Sequence, residues 1–288
     1  MSFVKILAPL IGSPRDLAVV ASAFAAAKPF HAHVAALFVR PDAAEAVPFY
    51  GESVSPQVMQ DIAEASRKAA DVASRQAQAA LAAGAKEAGA ELVAAPEIGA
   101  AATASFREVT GNFADQVALA ARLCDLVVFG PLKEGDRPGL TDAFEATLLE
   151  TGRPVLLSPY AAPVTFCKKI ALAWNDSVAS AHAVTAALPL LHCAESVEVL
   201  AVSRQKDEAI DTGELLTYLK LHGVAATARA VDARNRVVGE VLLEEAAKCG
   251  AGLLAAGGYG HSRLREMFFS GVTRHVVSHA TLPLFLVH

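Results

Sequence analysis

Lys5-Ile6-Leu7-Ala8 begins a short apolar run, and Lys169-Ile170-Ala171-Leu172-Ala173 begins it again. That repetition decides the fold. Each run leads through a turn region into an alanine-rich helical pattern, Asp16 to Ala27 in the first half and Ser177 to Leu188 in the second. Next come His33-Val34-Ala35-Ala36-Leu37-Phe38-Val39 and Ser196-Val197-Glu198-Val199-Leu200-Ala201-Val202. Alternation and β-branched content mark both as strands. Further on, Leu126-Val127-Val128-Phe129 and Leu253-Leu254-Ala255-Ala256 each stop at a glycine, Gly130 and Gly257. The halves close on Pro154-Val155-Leu156-Leu157 and Pro283-Leu284-Phe285-Leu286-Val287. Proline is tolerated at the first residue of a strand, where the backbone N–H is not needed.

Short apolar runs separated by helical patterns require a sheet buried on both faces, which is the parallel arrangement. The pattern predicts an α/β chain of two repeated open, mainly parallel five-stranded sheet domains with helices on both faces, at about five strands per half. The predicted domains are 1–161 and 162–288, joined by the short Pro-containing link Ser158-Pro159-Tyr160-Ala161-Ala162-Pro163. One large doubly wound sheet accounts less well for the chain, because the second half restarts the first half's element order. The halves differ in two places. The first carries an insertion from Arg40 to Ser55, then a helical stretch from about Pro56 to Ala88 rich in Ala and Gln. The segment after Gly130, Pro131 to Gly139, also differs from the one after Gly257.

Composition narrows the function classes. Hydrophobic types make up 53% of the 288 residues and charged types 19%, enough for a sizeable core. The formal charge of −5 lies in the first half: residues 161–288 hold 12 basic and 12 acidic residues, against 13 and 18 in 1–160. Neither half has the clustered positive charge of a nucleic-acid surface, so no nucleic-acid partner is expected. Cys124, Cys167, Cys193 and Cys249 have no metal-ligand or Cys-x-x-Cys spacing, which points to a reduced, cytoplasmic setting. Met1 to Leu7 lack a leader pattern, and the alanine-rich stretches are broken by charges, so no membrane partner is expected.

The chemistry-bearing segment runs from Gly257 to His275 and begins at the carboxyl end of a strand, the edge where open parallel sheets bind ligands. Glycines at 257, 258 and 260 allow close backbone approach, and such turns point N–H groups at one anion. Ser270 stands as N-cap of a helix from about Gly271 to His279, whose first N–H groups attract phosphate. Arg263, Arg265 and Arg274 against Glu266 leave a local charge of +2. Against this, a glycine turn after a strand is also ordinary geometry. No Gly-Lys-Ser/Thr of the P-loop type is present, and neither half has a dinucleotide fingerprint after its first strand. In Trp174-Asn175-Asp176-Ser177, Asn175 is a candidate to bond a base or ribose. Trp174 is equally suited to the core, and Asp176 and Ser177 to capping.

These residues resemble a tandem universal stress protein, of the bacterial kind with two such domains in one chain. The resemblance covers essentially all 288 residues and is strongest from Gly257 to Val287. Nucleotide-binding members carry glycine, two residues, glycine, nine residues, then glycine and Ser/Thr. Gly257 and Gly260 match the first two, while Ser270 and Gly271 stand in reversed order at the last two. The resemblance implies ATP, with Mg, as the cofactor of the second domain. It places Asn175 and Ser177 near adenine or ribose and Val202 in the adenine pocket. Gly257, Gly260 and His261 would meet ribose and phosphate, and Ser270, Gly271 and Val272 the outer phosphates. A hydroxyl at 270 would either crowd the phosphate or donate to it. The first domain keeps only Gly130 of the series, and the family's aspartate position near Leu10 is not acidic there, so no ordinary nucleotide site is expected.

Phosphoryl transfer needs a positioned metal and a base, and the loop supplies neither. Asp176 and Glu240 are the nearest carboxylates along the fold, and His261 a lone proton shuttle. Dedicated catalysis is therefore not expected, and slow hydrolysis of bound ATP is the most the resemblance implies. His275, His279 and His288 suggest a metal, but without a carboxylate, surface and helix-end roles are preferred. Two classes follow: a nucleotide-binding stress-response or regulatory protein, or an interaction module with a decayed loop that takes another small ligand in the first domain. The family also implies pairing through last strands, here Pro154–Leu157 with Pro283–Val287 inside the chain, and a homodimer beyond it.

Overall fold

The computed structural model describes residues 2–42, 56–96, 101–132, 137–160, 166–203, 210–258 and 271–288. The first half runs β1 (Lys5–Leu10), α1 (Asp16–Ala27), β2 (His33–Arg40), α2 (Pro56–Ala88), β3 (Glu91–Leu92), β4 (Thr103–Thr110), α3 (Phe113–Ala121), β5 (Leu126–Phe129), α4 (Leu140–Glu150) and β6 (Val155–Leu157). The second runs β7 (Lys169–Trp174), α5 (Val178–Cys193), β8 (Ser196–Ser203), α6 (Gly213–Leu221), β9 (Ala226–Asp232), α7 (Val238–Lys248), β10 (Leu253–Gly257), α8 (Gly271–His279) and β11 (Leu284–Val287).

The strands form one sheet in the order β3-β4-β2-β1-β5-β6-β11-β10-β7-β8-β9. Every pairing is parallel except β6 with β11, which is antiparallel. The expectation of two five-stranded sheets is thus amended in two ways. The halves share a continuous sheet, and the first half has a sixth strand, the two-residue β3 on the outer side of β4. The single antiparallel join, between β6 and β11, marks where the two halves of the sheet meet.

Register exposes the internal symmetry. Val127 pairs with Val155 in the first half, as Leu254 pairs with Leu284 in the second. Ile6 pairs with Leu126 as Ile170 pairs with Leu253. Val155, Leu156 and Leu157 are therefore equivalent to Leu284, Phe285 and Leu286. Across the seam, Leu284 pairs with Leu157, Phe285 with Leu156 and Leu286 with Val155. That exchange is what a two-fold axis through the middle pair requires. The expected pairing of Pro154–Leu157 with Pro283–Val287 is the one observed.

Strand alternation sorts the core into two layers. In β1, Ile6, Ala8 and Leu10 join one apolar cluster with α1, α2, α5 and α6, while Leu7 joins the other with α3, α4, α7 and α8. β7 repeats the arrangement, with Ile170 and Leu172 on the first side and Ala171 on the second. The predicted helix from Ser177 to Leu188 extends through Pro189 to Cys193. Long helix α2 lies against α1 and over the first half's carboxyl edge: Arg40 at the end of β2 pairs with Asp71 of α2 at 2.6 Å and with Glu108 of β4 at 2.7 Å. All four cysteines are free, Cys124 and Cys167 buried, and burial pushes the Cys167 thiol far above its ordinary value. Among the described residues, no helix is long and apolar enough to cross a membrane.

Candidate functional site

In the second half the order β11-β10-β7-β8-β9 places β8 and β9 on one side of β7 and β10 and β11 on the other. The chain therefore changes direction between β7 and β10, and connections leaving these two strands go to opposite faces of the sheet. A crevice opens at such a point, at the carboxyl ends of the strands. Trp174-Asn175 leave β7 there and Gly257 ends β10 there, with Val202 near the end of β8 beside them. Helix α5 begins at the same edge, as does α8, which runs back from it toward β11.

Asn175 is exposed, and its Oδ1 accepts from the Ser177 hydroxyl at 2.7 Å and the Ser177 N–H at 3.4 Å. Ser177 is the N-cap of α5 in a reciprocal capping box. Its hydroxyl accepts from the Ser180 N–H at 3.2 Å, and the Ser180 hydroxyl accepts from the Ser177 N–H at 3.0 Å. Two otherwise unsatisfied donors of the helix start are thereby used, and the β7–α5 turn is fixed. Asp176 between them is exposed and left-handed, with φ +57°. Val202 is 6% exposed and packed on the α7–α8 side of the sheet. Val272 is partly buried in the first turn of α8, whose backbone passes close to α7: a Cβ on Gly239 would lie 2.8 Å from the Val272 carbonyl oxygen. Gly271 is the first residue of α8.

Gly257 has a reason of its own. A Cβ there would meet the Ala179 carbonyl carbon at 2.4 Å, its oxygen at 2.5 Å and the Ser180 nitrogen at 2.7 Å. The first turn of α5 thus lies directly on the end of β10, and only glycine lets the two backbones come so close. Gly260, His261 and Ser270 lie outside the described residues. The structure therefore brings Asn175, Ser177, Val202, Gly257 and the start of α8 to one edge.

Several contacts of neighbouring residues were not readable in the sequence. The Trp174 indole donates to the Asp211 carbonyl at 3.0 Å while its ring packs on the core, which ties the end of β7 to the approach to α6. His288 Nδ1 donates to the Gly258 carbonyl at 3.2 Å, and His182 Nδ1 on α5 donates to the His288 carbonyl at 3.1 Å. This chain of bonds holds the end of β11 against the segment leaving β10. No periodicity signals it, because it depends on which strand ends become neighbours. The three histidines weighed as metal ligands separate: His275 and His279 stack at 4.2 Å, while His288 bonds to backbone elsewhere. Glu240, weighed as a Mg²⁺ ligand, faces Arg236 at 3.3 Å. Among the described residues, no three His, Cys, Asp or Glu side chains form a metal cluster.

Residues 167–288 match the model of the universal stress protein family, so the second half carries a universal stress protein domain. No curated protein matches the chain. Among solved structures, a universal stress protein from Archaeoglobus fulgidus aligns with 98% of this chain and 95% of its own at a TM-score of 0.65 and 12% identity. A universal stress protein candidate from Pseudomonas aeruginosa aligns with 99% of this chain and 93% of its own at a TM-score of 0.55 and 14% identity. A Pseudomonas aeruginosa protein of unknown function aligns with 99% and 92%, at 0.56 and 13%. At such identities the likeness is one of fold. It spans both halves, whereas the family model matches only the second.

Proposed function

We propose that this chain is a tandem universal stress protein that binds an adenine nucleotide, ATP with Mg²⁺, in its second half and acts as a cytoplasmic stress-response or regulatory protein. Residues 162–288 are the binding domain and residues 1–161 a degenerate copy. The observation that carries the reading is the meeting of Asn175, Val202, Gly257 and the start of α8 at the point where the strand order reverses. The family match over 167–288, which includes the whole glycine series, supports it.

In this reading Asn175 and Ser177 meet the base or ribose, and Val202 lines the base pocket. Gly257, Gly260 and His261 approach ribose and phosphate, and Ser270, Gly271 and Val272 offer the outer phosphates N–H and hydroxyl donors. Unpaired N–H groups at a helix start suit that task. Nucleotide occupancy, rather than turnover, is the output.

A second reading has its own observation. Ser177 and Gly257 are already employed, one as a helix cap and the other as a close-packing position, so part of the pattern exists without any ligand. In that case the second half is an interaction module. Calorimetry with ATP separates the two. Saturable heat that Gly260→Val abolishes supports the nucleotide reading, and absence of heat, or heat indifferent to the substitution, supports the module.

A further inference from the structure

The first half has its own version of the crevice, and a side chain of this protein fills it. Ile6 pairs with Val34 as Ile170 pairs with Val197, so Val39 is the repeat partner of Val202. Arg137 comes from the segment after β5, as the glycine loop comes from the segment after β10. Its Nη2 donates to the Val39 carbonyl oxygen. Its guanidinium carbon lies 4.6 Å from the centre of the Phe113 ring and 5.4 Å from that of Phe38.

We propose that the first-half crevice is a binding site for a planar guanidinium cation, with Arg137 as its resident, covalently tethered occupant. Two aromatic rings and a strand-end carbonyl recognise a flat cation with N–H groups at its rim, which an ammonium group matches poorly. Asp16, whose own carboxyl is pushed up by burial, attracts this cation. It is 1% exposed and its carboxylate accepts from the N–H groups of Ile11 at 3.1 Å, Gly12 at 2.8 Å and Ser13 at 3.4 Å. Burial lowers the Arg137 pKa to about 10 against the pull of Asp16, so the group is a cation at neutral pH. The same carboxylate occupies the N–H groups of the β1–α1 turn, the repeat partner of the Asn175–Ser177 turn, so these donors are not open to a ligand.

Delivery of the guanidinium is written locally. Arg137-Pro138-Gly139-Leu140 is a turn in which the Leu140 N–H bonds the Arg137 carbonyl at 3.1 Å. Gly139 at φ +81°, ψ −1°, with proline before it, is the type II form. A Cβ on Gly139 would touch that of Phe113 at 3.5 Å, so the turn rests on the start of α3, beside the ring that Arg137 faces.

The test is chemical complementation in the full chain. Arg137→Ala should melt at least about 2–4 °C below the wild type. Millimolar methylguanidinium should then raise the melting temperature of the variant and leave the wild type unchanged, since a ligand stabilises only the form with a vacant site. Equal methylammonium should do neither. Rescue by methylammonium, or no rescue by either, overturns the proposal. Should Arg137→Ala not fold, Arg137→Lys keeps the charge and loses the plane. A melting temperature below the wild type is then expected, and one equal to it overturns the proposal.

Discussion

Leu156 and Phe285 face each other at the centre of the antiparallel seam, equivalent residues of the two halves that meet on the internal two-fold axis. Both side chains are fully buried in the same apolar cluster, with α1 and α5. An unpaired last strand would leave each half with a row of open N–H and C=O groups, and here each half covers the other's.

Phe285→Ala should therefore cost about 3–5 kcal/mol, the range for deleting a buried phenyl group that its surroundings cannot refill. Urea unfolding followed by circular dichroism measures it. A cost under about 1 kcal/mol would mean that the seam is looser than its burial indicates.

Gly257→Ala should destabilise the protein by about 1–3 kcal/mol in the complete absence of nucleotide, the usual cost of overpacking. The colliding atoms belong to the backbone of Ala179 and Ser180, so no side chain can swing aside. Thermal unfolding of the ligand-free protein is the measurement. Unchanged stability would reserve this glycine for a ligand alone.

Glu198 governs a third expectation. Burial raises its proton affinity, but the 2.6 Å contact with Arg229 and the 3.3 Å contact with Lys169 outweigh that and hold the carboxyl below its ordinary range. A carboxylate whose pKa is lowered on folding contributes stability above its unfolded value near 4.5, and loses it as the pH falls through the folded value. Wild-type stability should fall on acidification more steeply than that of Glu198→Gln, as measured by urea midpoints between pH 6 and about pH 3. Parallel profiles would show that the contact carries no linkage.

Much of the fold was legible from periodicity. The limits of α1, α2, α8, β2, β8 and β10 follow the apolar pattern to within a residue or so, because each buries a regular stripe or a two-sided run. The outer strands β4 and β9, one next to an edge and one at it, were not located individually. Residues 226–230 of β9 are half-buried or exposed, so burial does not write an alternation into them. Of the site, the strand ends and the start of α8 could be placed from sequence. The employment of Gly257 in packing could not, since it depends on how closely α5 crosses β10. The crevice of the first half was hidden for a similar reason. Ser13 and Asp16 repeat the spacing of Ser177 and Ser180, and that capping pattern was the one available signal. Nothing in the spacing of Arg137 announces that it reaches Val39, a contact between residues 98 positions apart.

The seam between β6 and β11 also bears on how such a chain changes over time. Two identical free subunits must alter together, because any substitution appears on both sides of their contact. Here the paired halves are encoded separately and delivered one to one, at the high effective concentration that a short tether provides. Ile11 opposite Asn175, or Pro131 opposite Gly258, is a divergence that a symmetric dimer has no means to hold. Covalent linkage turns a constraint of symmetry into a licence for division of labour.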